Sequence, residues 1–278
     1  MFEIIYKEKL NPTVSLMKIH APRIAAKAEA GQFIILRVDE NGERIPLTIA
    51  DYDREKGSVT IIYQIVGATT MKLDSKEKGD FIADFVGPLG RPTETDGLKK
   101  VAVVGGGVGC AIAYPIAKKL AGMGCEVHSI VGFRNRELVI LEDEFKAVSN
   151  CMKVMTDDGS YGEKGLVTDA LKMLIDSGEK YDRVIAIGPL VMMKFVCKLT
   201  KEYAIPTTVS VTPIMIDGTG MCGGCRLPVD GRTCFACVDG PDFDGHKVDF
   251  DEAMKRGAMY RDFERHAYDK TCNLLNKA

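Results

Sequence analysis

The chain has 278 residues, 46% hydrophobic and 27% charged, and its 37 Lys+Arg against 39 Asp+Glu leave a net charge of −2. At about 100–200 residues per domain, this is enough for two domains and a smaller piece, with a core that needs no staples. So even a charge balance excludes a nucleic-acid binder working through its overall field, and the composition excludes disordered and fibrous classes.

No apolar run reaches the roughly 20 residues of a membrane-spanning helix. The longest charge-free stretch near the middle, 101–117, is broken by four glycines and a proline. The opening MFEIIYKEKL has no basic region followed by an apolar one. An unexported, cytoplasmic protein with no membrane contact is therefore expected.

In chain order, residues 1–97 read as strands. The stretches 33–38, 58–66 and 80–88 are rich in β-branched and aromatic residues, and Asn41-Gly42, Lys56-Gly57 and Lys78-Gly79 mark turns between them. Such spacing predicts a small antiparallel barrel or sandwich. From Leu98 the pattern changes. Apolar runs at 101–106, 126–133, 153–159 and 183–189 alternate with helical stretches at 111–124, 137–148 and 165–177, and a further helix follows 189. Strands alternating with helices predict a parallel sheet with crossovers over 98–208. Residues 209–250 are rich in Gly, Cys, Asp and Pro with little periodicity, and 251–278 reads as a helical tail. Its Met254, Met259, Tyr260 and Phe263 give it one apolar face, suited to folding back on its own chain or to docking a partner.

The first apolar run of the second domain breaks into Gly105-Gly106-Gly107-Val108-Gly109 and then a helix. Backbone N–H groups and a helix N-terminus at a side-chain-free turn suit a pyrophosphate. A tight turn without a ligand is the plain alternative. However, four glycines in five residues exceed what a turn needs and lose entropy on folding. The dinucleotide fingerprint counted from Gly105 puts Cys110 at its last glycine, and no acidic residue ends the second strand. Phe133-Arg134-Asn135-Arg136 stands there instead. Arg134 suits a 2′-phosphate or plain solvation, so NAD and NADP both stay open.

Nine cysteines, an odd number without an export signal, argue against a disulfide framework. Cys222-Gly-Gly-Cys225 and Cys234-Phe-Ala-Cys237 form two CxxC units. By spacing alone they suit either a Cys₄ zinc site or a [2Fe–2S] cluster. Cys110, Cys125, Cys151, Cys197 and Cys272 lie in apolar or helical stretches and read as small buried hydrophobes. The four histidines are scattered and form no acid–base pair.

A barrel followed by a domain carrying GGGVG and Gly188-Pro189-Leu190-Val191-Met192 resembles the ferredoxin-NADP reductase superfamily. The resemblance implies FAD in the barrel and the nicotinamide in the second domain. Arg44-Ile45-Pro46-Leu47-Thr48-Ile49-Ala50 lies at the flavin signature. It implies Arg44 on the flavin pyrophosphate, Thr48 near the flavin N5, Leu47 against the isoalloxazine, and Pro46 beside them. Residues 63–70 resemble the second flavin strand and turn, which brings in Gln64, Val66, Gly67, Thr69 and Thr70.

For the nicotinamide dinucleotide the resemblance implies the glycine turn, Phe133, Arg134, Gly188, Pro189 and Met192, together with Asp157, Asp158 and Gly159. The run T-x-D-G-S-x-G-x-x-G from Thr156 to Gly165 is similar to that of two subunit families. One is the electron-transfer subunit of dihydroorotate dehydrogenase. The other is the small subunit of NADH-dependent reduced ferredoxin:NADP oxidoreductase. Their cluster pattern, laid over this chain, implies a [2Fe–2S] cluster on Asp217, Cys222, Cys225 and Cys237, with Cys234 contesting the fourth place.

The implied activity is electron transfer between NAD(H), FAD and the cluster in a heterodimer with a larger flavin/[4Fe–4S] subunit, which passes electrons to ferredoxin. The competing readings are a dihydroorotate dehydrogenase subunit and a non-redox nucleotide-binding module with structural zinc.

Overall fold

The first strands of this computed structural model, which describes residues 1–275, are built from β-branched and aromatic residues. They are β1 (Phe2–Asn11), β2 (Val14–His20), β3 (Phe33–Arg37), β4 (Arg44–Asp53), β5 (Ser58–Gln64), β6 (Phe81–Ile82) and β7 (Asp84–Leu89). Two short helices, α1 (Pro22–Ala25) and α2 (Ala68–Asp74), lie between them. The strands pair antiparallel in the order β6-β1-β2-β5-β4-β3-β7. The strands at the two ends of that order are separated in sequence by Ala83 alone. The sheet therefore curls until its edges meet, as a near-closed barrel. Ile4, Met17, Ile34, Leu36, Ile49, Ile61 and Tyr63 fill its interior. The 80–88 stretch, expected as one strand, is two, and Ala83 donates its N–H to Val38 O between them.

The second sheet holds β8 (Lys100–Gly106), β9 (Glu126–Phe133), β10 (Cys151–Thr156), β11 (Glu163–Lys164), β12 (Arg183–Ile187) and β13 (Thr207–Ser210). Two further strands, β14 (Arg226–Val229) and β15 (Arg232–Phe235), form a separate hairpin, and β16 (Asp242–Asp244) rejoins the second sheet. The order is β11-β10-β9-β8-β12-β13-β16, parallel throughout except for β16 against β13. Side chains of a strand alternate between its faces. Accordingly, Val101 and Val103 of β8 pack with α3 (Cys110–Gly122) and α4 (Glu142–Val148). Ala102 and Val104 pack with α5 (Val167–Asp176) and α6 (Leu190–Glu202) on the other side. The helix expected over 137–148 starts only at Glu142. Residues Arg136–Leu138 make a 3₁₀ turn, and Leu141, at φ 58°, stops it from continuing.

Val14, Ala50 and Ile62 of the barrel share a core with α3, and Lys118 of α3 reaches both oxygens of Asp51 at 3.0 Å. The tail forms α7 (Phe250–Gly257), capped by the Asp249 carboxylate on Glu252 N, and α8 (Arg261–Leu275). α7 packs on α6 and β14, whereas α8 lies against α2 of the barrel. The described tail thus folds back on its own chain, while 276–278 lie outside the described residues.

β16 carries a buried carboxylate where the parts meet. Thr93 Oγ1 donates to Asp242 Oδ2 at 2.6 Å, whereas Asp242 Oδ1 and Ser210 Oγ are buried without a partner. Burial, the largest influence, raises the Asp242 carboxyl to about 6. The folded chain therefore holds this proton at a pH where the unfolded chain has lost it. That contribution is complete below the ordinary carboxylate range and is lost as pH rises through about 6. Asp242→Asn keeps an acceptor for Thr93, offers Ser210 an N–H, and cannot ionise. We expect it to be near neutral at pH 4 and stabilising by about 1–3 kcal/mol at pH 8. Urea melts at both values check this, and an equal difference at the two would reject it.

Candidate functional site

In the second sheet the chain first builds outward from β8 on one side and then returns to β12 on the other. The carboxyl ends of β8 and β12 therefore flank a topological switch point, where open α/β sheets bind ligands. A cavity of about 680 Å³ opens there. It is bounded by Gly106, Gly107, Val108 and Gly109 after β8, and by Gly188, Pro189 and Met192 after β12. Phe133, Arg134 and Asp157 line one end, and Thr13, Val14 and Gln64 of the barrel line another.

The glycines divide the work. A Cβ on Gly109 would lie 2.5 Å from Ile187 O, and one on Gly106 would lie 2.4 Å from Met192 Sδ. Both are needed for close packing. Gly107 has φ +55° and nothing within 4 Å of such a Cβ, so its missing side chain leaves free space at the start of α3. That is a fit for a pyrophosphate.

The remaining dinucleotide candidates lie around this cavity rather than in its lining. Gly105 is buried in β8 with Cys110 Sγ 2.8 Å from where its Cβ would be. Asp158 accepts from Ser160 N at 2.9 Å, and bonds from Ser160 hold its carboxyl below the usual range. Gly159, at φ +76°, completes the turn that leaves Asp157 on the cavity. The sequence reading missed Val191 and Phe195, which are 53% and 55% exposed and line the cavity from α6, and also Ser210 and Thr212. The only signal of Val191 and Phe195 is apolar spacing of i, i+4, which is indistinguishable from core spacing, and Ser210 and Thr212 carry none.

The flavin candidates sit on an open strand edge. β4 pairs with β5 only from Ile49 onward, so residues 44–48 bond to β3 alone. Pro46 is tolerated there because an edge asks less of its backbone nitrogen. Arg44, Ile45, Pro46, Leu47 and Thr48 are all half-buried, while Phe33–Leu36 opposite are buried. The usual in–out alternation is suspended, leaving a face the protein does not itself cover. Arg44 Nε donates to Ile216 O at 2.7 Å. Val66 is exposed beyond the end of β5. Thr70 is buried and used structurally: its Oγ1 accepts from Val66 N and Gly67 N and donates to Gly67 O, each at 3.0 Å. Thr69 donates to Glu43 at 3.0 Å.

In the loop after β13, Asp217 Oδ1 accepts from Thr219 N at 2.9 Å and Oδ2 from Cys222 N at 2.8 Å. These bonds, Thr219's first, hold its carboxyl below the usual range despite some burial. Each oxygen retains a lone pair for a metal. Cys225 Sγ and Cys237 Sγ lie 3.2 Å apart in a buried pocket, and Cys222 is exposed. Burial first, then Cys225, pushes the Cys237 thiol up. Cys234 lies in β15 opposite Leu227, where burial and then Asp239 raise its thiol.

One tetrahedral zinc, with Zn–S near 2.3 Å, needs ligand atoms about 3.8 Å apart. Among the described residues, the one group of three or more His, Cys, Asp or Glu ligand atoms gathered within 4.8 Å is Glu126, His128 and Glu179. Lys100 already pairs with both of its carboxylates, and His128 has partners on both ring nitrogens. No three ligand atoms of the Asp217–Cys237 set lie within 4.8 Å of one another among the described residues.

Residues 212–249 match the family model of the iron-sulfur cluster binding domain of dihydroorotate dehydrogenase B. Over 268 residues the chain is 47% identical to the dihydroorotate dehydrogenase B (NAD(+)) electron transfer subunit homolog of Thermotoga maritima, covering 96% of this chain and 94% of that one. The chain belongs to the family of dihydroorotate dehydrogenase B electron-transfer subunits. The family member from Streptococcus mutans is 33% identical over 269 residues, covering 89% of this chain and all of its own length (100%). A chain of the NADH-dependent reduced ferredoxin-NADP oxidoreductase, solved in a study of flavin-based electron bifurcation, superposes with a TM-score of 0.92. It is 46% identical and covers 97% of both chains. The family fold is therefore a barrel, a parallel α/β domain and an iron-sulfur segment near the C-terminus. No helix among the described residues is long and apolar enough to cross a membrane.

Proposed function

We propose that this chain is a cytoplasmic electron-transfer subunit carrying electrons between NAD(H), FAD and a [2Fe–2S] cluster. Its partner is a larger flavin/[4Fe–4S] subunit of a ferredoxin:NADP oxidoreductase. The observation that carries the reading is a linear order across two neighbouring barrel strands. β5 ends in Gln64 on the dinucleotide cavity, while β4 begins with Arg44 bonded to the cysteine loop. A group held on the edge at 44–48, which β5 leaves unpaired, would lie between the two.

Bound FAD supplies the change from two-electron hydride chemistry to single-electron transfer. The chain's residues supply position. The Gly107 turn and the first turn of α3 receive the dinucleotide pyrophosphate. Gln64 and Val14 bring the barrel wall to the same cavity, and Met192 and Phe195 add apolar surface to its lining. The Arg44 guanidinium would hold the flavin phosphates, and Leu47 would offer apolar contact to its ring system. Asp217, Cys222, Cys225 and Cys237 hold the cluster. No side chain is needed for proton transfer.

Anaerobically purified protein should contain FAD, equal amounts of iron and labile sulfide, and no zinc, and NADH should bleach the flavin absorption. Zinc without flavin would instead establish the non-redox reading. The family's names favour a second reading, service to a dihydroorotate dehydrogenase. Co-purification from the native host separates the two, because a dihydroorotate-oxidising partner would replace the larger [4Fe–4S] subunit.

A further inference from the structure

We infer that Arg44 is a positioning residue that ties the cysteine loop to whatever anion occupies the open edge of β4, so that binding at one is felt at the other. The inference rests on the flavin and cluster assignments proposed above. Arg44 Nε donates to Ile216 O across 172 residues of sequence, at the carbonyl immediately before Asp217. The donors on Nη1 and Nη2 have no hydrogen bond or ion pair among the described residues. Neighbouring Glu43 accepts from Thr69. A planar guanidinium fixed at Nε presents its two outer nitrogens as a fork, which suits two-point contact with a phosphate oxyanion.

The loop has a second, apolar anchor. A Cβ on Gly218, at φ +79°, would meet Leu89 and Ile35 of the barrel at 2.7 and 2.8 Å. Met215, Cys225 and Cys237 pack in one cluster with Phe33 and Ile35. Packing thus fixes the base of the loop, and Arg44 is the polar hold on 216–217, where Ile216 is itself half exposed. An anion on the fork restrains the guanidinium. The guanidinium then restrains the carbonyl next to Asp217, and by linkage the effect runs equally in reverse.

The test is iron release to a ferrous chelator from anaerobic protein, with FAD bound and with FAD stripped, in wild type, Arg44→Gln and Arg44→Lys. In wild type, stripping FAD should speed release by about 5–10-fold, at the low end of ordinary coupling between sites. Arg44→Gln should release iron at the fast rate with or without FAD. Arg44→Lys keeps the charge but not the fork, and should also release fast even when FAD is saturating. If Arg44→Gln binds FAD weakly yet, once saturated, keeps iron as wild type does, Arg44 serves the flavin alone. The inference then fails while the flavin assignment stands. Wild-type release indifferent to FAD would overturn it too, and wild type lacking flavin and iron altogether would overturn the proposed function with it. Circular dichroism checks folding, and if Arg44→Gln does not fold, Arg44→Lys decides.

Discussion

Gly107→Val should slow flavin reduction by NADH at least about 100-fold while leaving FAD and iron contents unchanged. The Cβ of residue 107 points into space with no protein atom within 4 Å, which is the space proposed for the dinucleotide pyrophosphate. A branched side chain there removes a close backbone contact with the anion and fills its seat. A hundredfold loss is about 2.7 kcal/mol of transition-state binding, the scale of one or two charge-assisted hydrogen bonds. The left-handed φ of +55° adds strain of about 1–2 kcal/mol in the folded state, so a modest fall in thermal midpoint should accompany the loss. Gly109→Val is the contrast. Its Cβ would lie 2.5 Å from Ile187 O and 2.7 Å from Gly188 Cα, both backbone atoms that cannot step aside. That variant should lose the second domain's fold rather than its ligand. Stopped-flow reduction with NADH and with NADPH is the measurement, and unchanged rates with both in Gly107→Val would reject the assignment.

The difference between these two glycines is not legible in the sequence, although the crowding of glycines that suggests a phosphate is. Glycines crowded between a buried strand and a helix have few uses besides a close-approaching phosphate. Which of them packs and which opens depends on β12, some eighty residues on and brought alongside only by the sheet. The same holds at β4. The RIPLTIA segment is recognisable only by family resemblance, since its period is unremarkable. That 44–48 form an open edge depends on β5, whose pairing with β4 begins only at Ile49 of β4.

β16 is not legible in the sequence because three residues in a Gly/Asp-rich stretch carry no period, and pairing with β13 alone makes them a strand. The β14–β15 hairpin did carry a local signal. Asp230 and Gly231 sit at φ 53° and 71°, the positive pair that Asp-Gly accommodates in a two-residue hairpin turn. The overlong helix at 137–148 has the opposite cause. Ile140 and Leu141 are buried by tertiary packing with α3, and that burial mimics helical periodicity.

Cys237→Ser should lower iron and labile sulfide content by about tenfold or more, while Cys234→Ser should keep both. Removing even an outer partner of a metal site typically costs 10–100-fold in affinity, and here a proposed direct ligand is lost. The argument is positional. Cys237 Sγ lies 3.2 Å from Cys225 Sγ in a pocket built from Phe33, Ile35, Met215 and Ala236. Two buried thiols so close together are placed to bind one shared metal centre. Cys234, although within one CxxC unit of Cys237, is carried by β15 to a place opposite Leu227, where the charges acting on it are those of Asp239 and Arg232. Its sulfur is softer than a carboxylate, and by chemistry alone it would be the better fourth ligand.

Asp217 has the geometry instead: its oxygens already accept from Thr219 N and Cys222 N, so the loop to the first cysteine is built around it. Asp217→Ala should therefore lose iron as Cys237→Ser does, and also loosen the Cys222 turn. Asp217→Cys should keep a cluster with an altered electron paramagnetic resonance signal, because the ligand changes while the metal pair remains. Iron lost in Cys234→Ser and retained in Asp217→Ala would show that the softer sulfur wins over position. The cluster would then have to be rebuilt around β15, with the Asp217 loop left as a structural turn.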